Sequence, residues 1–381
     1  MTVDEEHMLR GLRALVEAET PSGDLQALQR GFGVLAELVV EHTGRTPQVG
    51  TGRDGVPYLY LVPLLEPSIL VVGHLDTVWP LGTLADIPFM VEGGVVRGPG
   101  VFDMKAGLMV ALAAMATTSQ AEHVGLLVTG DEEVGSVAGR ELVERYGVRA
   151  DAVIVPEPAA PGGALKATRK GVGIYQFILG GRAAHAGLEP ERGANTTVEL
   201  ADLVRDLVSL QDLSRGTTVT PTVVTSGTTV NTVPEHATLH ADVRSWTTSE
   251  LQRVDAAVRA RRESVAGVTV QVSGGINRFP LEADASDRFV ALALQVAREV
   301  GLEPMGAVGV GGGSDGNFVG ALGIPTLDGA GAVGGGAHAR DEWVDVACLV
   351  PRSLWLARVV ERVVEAAQDG GWPSRGALRI S

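Results

Sequence analysis

With 381 residues, 45% of them hydrophobic, the chain is longer than one ordinary core of about 100–200 residues and points to two domains. A formal net charge of −15 argues against nucleic acid and anionic membranes as partners, since both call for a basic footprint, and no apolar run approaches the roughly 18 residues of a membrane span. The one cysteine, Cys348, excludes an internal disulfide and a thiolate-built zinc site, so any metal has to sit on His, Asp and Glu.

The segment Met1 to Glu19 mixes acids, bases and apolar residues at helical spacing. It lacks the basic-then-apolar order of a secretory signal, which makes the cytoplasm the expected location. From there to about Lys166 short apolar runs alternate with amphipathic ones, as expected of an α/β fold with helices packed on a mostly parallel sheet. Strands are predicted at Ser68–Val72, Gly125–Thr129 and Ala152–Val155, and a helix at Lys105–Thr117. The pattern then changes. Strands at Gly171–Leu179, Thr217–Thr225, Ala237–Trp246 and Val268–Val272 enclose helices at Asn195–Leu213 and Ser249–Val265, the order of a small α+β domain inserted in the first. After it come a helix at Ala285–Val300, a strand and glycine turn at Ala307–Gly313, a strand at Ile324–Asp328 and a closing helix at Val344–Ala367. The expected domains are 1–169 with 280–381, and the insert 170–279.

Polar clusters follow the strands. His74 and Asp76 end one run and, spaced by two, share a face, so one could bind a metal while the other holds it; a surface turn with a satisfied histidine is the plainer reading. Asp103 opens an apolar helix, where an N-cap is the commoner role. Asp131-Glu132-Glu133 ends a core strand in three acids that repel one another if buried without a cation; solvated loop acids are the alternative. Glu157 stands between two prolines after a strand, and His338 follows a glycine run. Together these make enough N and O ligands for two cations, with one acid to spare for proton transfer. The run Gly309 to Asp315 lacks the Lys-Ser/Thr pair of a phosphate loop, which argues against nucleotide binding.

The succession Gly73-His-Leu-Asp-Thr77, Gly98-Pro-Gly-Val-Phe-Asp103-Met-Lys, Asp131-Glu-Glu-Val-Gly-Ser136, Pro156-Glu-Pro and His338 resembles the di-zinc exopeptidases that include glutamate carboxypeptidase (carboxypeptidase G), acetylornithine deacetylase, succinyl-diaminopimelate desuccinylase and aminoacylase. Order and approximate spacing agree over nearly the whole chain. Asp76-Thr-Val-Trp-Pro-Leu-Gly-Thr-Leu84, Pro88-Phe-Met-Val-Glu-Gly93 and Asn231-Thr-Val-Pro-Glu-His-Ala-Thr-Leu-His-Ala-Asp-Val-Arg244 bring it nearest to the glutamate carboxypeptidase type.

The resemblance implies two Zn2+ per subunit, with Co2+ or Mn2+ as substitutes. Asp103 would bridge the metals, His74 and Glu157 would complete one, and Glu133 and His338 the other. Glu132 would be the general acid/base and Asp76 the partner that orients His74. A cis peptide is expected after the bridging acid, at Asp103-Met104, where this chain has Met in place of the Asp or Lys of many relatives. The insert would be a dimerisation and lid domain whose His185 reaches the neighbouring subunit's site, while Asn231 and Arg244 hold a substrate carboxylate. The expected activity is hydrolysis of an amide next to a free carboxylate, releasing a C-terminal amino acid such as glutamate from a peptide or N-acyl conjugate. Deacylation of N-acetyl or N-succinyl amino acids is the alternative. Every expected position is filled, which argues against a non-catalytic scaffold.

Overall fold

A computed structural model describes residues 4–302 and 305–373, and the chain divides into two compact units. One comprises the chain up to Thr168, Leu281–Val310 and the chain from Ser314; the other comprises Arg169–Pro280 and Gly311–Gly313.

The first unit is built on a six-stranded sheet in the order Gln48–Thr51, Pro57–Leu61, Val124–Thr129, Ile69–His74, Ala152–Val155, Thr326–Asp328. The last four are mutually parallel, and Pro57–Leu61 runs antiparallel to both of its neighbours. The strands Ile69–His74, Val124–Thr129 and Ala152–Val155 are buried at every position, because parallel strands are covered on both faces.

Alternation divides their side chains between two cores. Ile69, Val71, Leu126, Val128 and Ile154 join the cluster that contains Phe32, Met109 and Trp355. Leu70, Val72, Leu127, Val153 and Val155 pack with Leu142, Phe318 and Val319 on the other side. The helix Ala106–Thr117, apolar around its whole circumference, buries ten of its twelve residues, as a helix enclosed by its own domain does. It packs against the long helix Leu349–Gln368. Gly107 lets it approach the end of the neighbouring strand: a Cβ there would stand 1.8 Å from the Pro156 carbonyl oxygen.

The predicted closing helix is shorter at its start. Trp343–Asp345 is a strand paired with Val95–Arg97, and the helix begins at Leu349. The aromatic and β-branched pair Trp343-Val344 favours extended backbone, and Asp345 then caps a short turn by accepting from Ala347 N at 3.0 Å. Further short strands, among them Gln48–Thr51, Pro57–Leu61, Met90–Glu92, Val95–Arg97 and Leu165–Arg169, add to those the sequence predicts.

The second unit holds an antiparallel sheet in the order Thr218–Ser226, His236–Ser245, Gly171–Gly180, Thr269–Arg278. Tyr175, Phe177 and Leu179 point into a core with Leu203, Leu207, Leu239 and Val254. The intervening Ile174 and Ile178 are exposed, the alternation of a sheet covered on one face. Its helices, Thr196–Ser209 and Thr248–Ala260, end earlier than predicted. After the first, Asp212 turns to accept from the backbone N–H of Ser214 and Arg215, drawing the chain out of helical geometry. No helix among the described residues is long and apolar enough to cross a membrane.

Candidate metal centre

The parallel strands deliver the polar residues. His74 is the last residue of its strand, Asp131 to Glu133 follow the adjacent strand, and Glu157 follows the strand on the other side, at the carboxyl ends where sites form in open α/β sheets. Asp103 lies in the irregular turn Val101–Lys105 that leads into the apolar helix, and the Asp103–Met104 peptide is cis. Met104 is buried, with its sulfur 3.3 Å from the His74 backbone N–H.

Two triads result, and they share Asp103. In the deeper one, His74 Nε2 is 3.4 Å from Asp103 Oδ1 and 3.6 Å from Glu157 Oε1. In the outer one, His338 Nε2 is 3.5 Å from Asp103 Oδ2 and 3.0 Å from Glu133 Oε2. The ligand atoms of each triad lie within 4.8 Å of one another. Atoms that each sit about 2.0–2.2 Å from a tetrahedral ion lie about 3.3–3.6 Å apart, so the spacing fits donors arranged about a common ion. In the deeper triad it is loose for direct hydrogen bonds, whereas in the outer one His338 Nε2 also hydrogen-bonds Glu133 Oε1 at 3.2 Å. His74 Nε2 and Asp103 Oδ1 are accordingly buried without a hydrogen-bond partner. The donor set is two imidazoles and three carboxylates, suited to zinc-like cations.

Charge in the cluster is offset in part, in the metal-free protein, by protons on the imidazoles. Burial opposes a charged His74, yet Asp103, Asp76 and Glu157 together hold it well above the ordinary imidazole value. Asp103, followed by Glu133, raises His338 to about 10. Asp103 is held well below the carboxylate range: burial works against its ionisation, and His338 and His74 outweigh burial. Burial raises Glu133 against the pull of His338.

Asp76 is fully buried, and its carboxylate does more than face a histidine. The nearer partner of His74 Nδ1 is the Asp76 backbone carbonyl at 3.0 Å, with the carboxylate at 3.5 Å. The carboxylate accepts from Glu132 N at 3.1 Å, Glu133 N at 3.2 Å and Ser22 Oγ at 2.7 Å. It therefore ties the acid-bearing turn Glu132–Val134 to the histidine strand. The three acids do not share one direction: Asp131 turns back to accept from Ala138 N and Gly139 N.

Sequence reasoning missed Glu342, which lies four residues after His338. Its Oε1 accepts from Phe102 N at 2.8 Å and Asp103 N at 2.9 Å, and its Oε2 from Gly100 N at 2.9 Å and Trp79 Nε1 at 3.1 Å. One buried carboxylate thus holds the whole turn that presents Asp103. Lys166, 3.7 Å from Glu157 Oε2, and the buried Lys105, lowered to about 8 by burial, were also unread. An apolar helix preceded by Asp-Met-Lys, with Lys105 in its interior-facing first turn, was the available signal for the latter.

His185, Asn231 and Arg244 belong to the second unit. His185 is exposed and pairs across strands with Thr232. Its Nδ1 accepts from Gly187 N and Leu188 N, both at 3.1 Å, which leaves Nε2 carrying the hydrogen in the neutral ring. The Asn231 carbonyl accepts from Ala186 N at 2.9 Å. Arg244 is partly exposed and engages Asp242 Oδ1 at 3.0 Å and the Gly311 carbonyl at 3.0 Å.

Residues 70–362 match the model of Peptidase family M20/M25/M40. Carboxypeptidase G2 of Pseudomonas sp. (strain RS-16) is 30% identical over 378 residues, covering 93% of this chain and 89% of that protein. Succinyl-diaminopimelate desuccinylase of Afipia carboxidovorans is 29% identical over 351 residues, 84% of this chain and 90% of its own length. Among solved structures, aminopeptidase PepT from Bacillus cereus superposes with a TM-score of 0.74 at 20% identity, covering 94% of this chain and 98% of that one. With a family model matched over most of its length and a strand-end cluster of His and carboxylates, this chain belongs to Peptidase family M20/M25/M40 and is a metallopeptidase-type hydrolase.

Proposed function

We propose that the chain is a two-zinc carboxypeptidase that releases a C-terminal amino acid such as glutamate from peptides or N-acyl conjugates. The observation that carries this reading is the pair of triads joined at Asp103, next to the turn that bears Glu132. His74, Asp103 and Glu157 would hold one ion, and Asp103, Glu133 and His338 the other; Co2+ or Mn2+ would substitute. When bound, two such cations lower the pKa of a water and polarise the scissile carbonyl.

The chain's own groups do the rest. Glu132 takes the proton of the attacking water and returns it to the leaving amine, the role of a general acid/base. Asp76 fixes Glu132 by accepting its backbone N–H and backs His74 at Nδ1. The His185 ring, with hydrogen on Nε2, is a donor for the oxyanion, in the partner subunit of a homodimer formed through the second unit. The exposed Ile174 and Ile178 support a self-associating face there. Arg244 offers a planar, two-donor guanidinium to a substrate carboxylate, assisted by Asn231. The second reading, an N-acyl amino acid deacylase, is favoured by the similarity to desuccinylases over 84% of the chain.

The test is amino acid release from N-acyl glutamates, dipeptides, and N-acetyl and N-succinyl amino acids by zinc-loaded protein and its Glu132→Gln variant. Metal-dependent release of glutamate that vanishes in the variant supports the carboxypeptidase. Preference for small N-acyl groups whatever the amino acid would transfer the assignment to the deacylase. No release from any substrate by protein carrying both metals would defeat both.

A further inference from the structure

A third group of metal-type donors lies well outside the centre described above, between the first two helices. Glu5–Glu17 presents His7 from its first turn, and Leu25–Thr43 presents Glu41 and His42 from its last. The candidate atoms of His7, Glu41 and His42 all lie within 4.8 Å of one another. His7 Nε2 is 3.5 Å from Glu41 Oε1, too long for a hydrogen bond and the same spacing that separates donors in the two triads. The two imidazole rings meet edge to face, with centroids 4.8 Å apart.

His42 supplies the second observation. It is only 6% exposed. Its Nδ1 contacts the Leu38 carbonyl at 2.9 Å, and since a carbonyl only accepts, Nδ1 carries the hydrogen. Nε2 of the neutral ring is therefore a lone pair aimed into the cluster, and it is buried with no hydrogen-bond partner, as is His7 Nε2. A buried acceptor without a donor bears the desolvation penalty of its lone pair uncompensated. A cation would take the His42 lone pair and, once the His7 hydrogen moves from Nε2 to Nδ1, the lone pair of His7 as well.

We infer that His7, Glu41 and His42 form a separate structural site for a zinc-class divalent cation, which pins the first helix to the end of the second. Two imidazoles and a carboxylate match the ligand type that zinc accepts. The position favours a cation as well, since the last turn of the second helix concentrates its partial negative charge. Arg10 is the competing group: Nη2 lies 3.2 Å from His7 Nδ1, and Nη1 is bonded to Glu6 Oε1 at 2.9 Å. With Nε2 ligating, His7 Nδ1 becomes the N–H, and Arg10 retains Glu6.

The test is a zinc titration of the full chain after chelation, with bound metal counted by mass spectrometry after gel filtration. Wild type should bind three ions, and both Glu41→Gln and His42→Gln should bind two with unchanged peptidase activity. In an Asp103→Asn background the remaining ion should be the one at this site, and adding Glu41→Gln should remove it. Glu41 is half exposed, so its variant folds even if the buried His42 change does not. Two ions in wild type, or a third that survives both substitutions, would overturn the site and leave a pair of packed neutral histidines.

Discussion

The two triads of the centre share an aspartate and a ligand chemistry, yet they differ in how the chain holds them. In the deeper triad His74 is 2% exposed, at the end of a strand buried on both faces, with its ring fixed by the Asp76 carbonyl. In the outer triad His338 is 51% exposed, on a loop residue with a φ of 64°. One imidazole is part of the core; the other is delivered to it by a turn. The deeper candidate ligands are thus also structural, whereas the outer histidine makes few contacts besides those with Asp103 and Glu133. Metal held by the deeper triad should accordingly exchange more slowly than metal held by the outer one.

The largest effects come from residues common to both halves. Asp103→Asn should cost both centre metals and reduce activity to background, as read by metal content and product release. Glu132→Gln should keep both ions and lower turnover by roughly 10²–10⁴-fold. An Asp103→Asn protein that kept two ions in its centre would show that the triads do not depend on the shared carboxylate.

His74→Ala against His338→Ala probes the contrast itself. Removing His74 takes away the counter-charge that Asp103 and Glu157 share, leaving Asp103 to His338 and Glu157 to Lys166, and breaking a buried pair from one side costs up to roughly 3–5 kcal/mol. Removing His338 breaks a contact that is half in water, worth roughly 0–1 kcal/mol. Urea unfolding of the chelated proteins measures both. Equal losses would erase the distinction between a core ligand and a delivered one.

Glu342→Gln should have an intermediate effect. The amide retains the shape but only one oxygen to accept four N–H groups, so the turn presenting Asp103 loosens. Groups that orient a ligand typically contribute 10- to 100-fold to metal affinity, so loss of that order is expected with substrate KM little changed once metal is saturating. Unchanged affinity would mean that the turn is held by its own packing.

Four of the five candidate ligands stand beside a strong local signal: an apolar strand before His74, Glu133 and Glu157, and an apolar helix after Asp103; His338 follows only a glycine run. The parallel core followed from the same runs. What the sequence hid is long-range and polar. Glu342 acts on residues about 240 positions earlier, and nothing in the run around it marks a carboxylate that accepts backbone N–H groups. The reading of Asp76 as a histidine partner was incomplete for the same reason, since the turn it holds lies 56 residues on. Trp343–Asp345 went unread as a strand because three residues carry no periodicity, and its partner is the equally short Val95–Arg97. The second unit, with ten-residue strands in clear alternation, needed no such context.

The smallest effect is the dependence on pH, and its sign follows from His338. In the metal-free protein its value is raised from 6.5 to about 10, chiefly by Asp103 and then Glu133. Its ion pairing is complete below pH 6.5 and is lost as pH rises through about 10, so this contribution to the metal-free fold declines over that window. A metal competes with the same proton. Its affinity should rise with pH by roughly tenfold per unit for each proton displaced, and the metal-loaded protein should not show the decline. Lys105 acts in the opposite sense: burial lowers it from 10.5 to about 8, so the unfolded chain holds the extra proton and stability rises between those values. Melting curves of chelated wild type and His338→Ala across this range separate the two, because the lysine contribution cancels in the difference. A difference that shrinks as pH rises is expected; one independent of pH would mean that the outer imidazole is not charged in the metal-free centre.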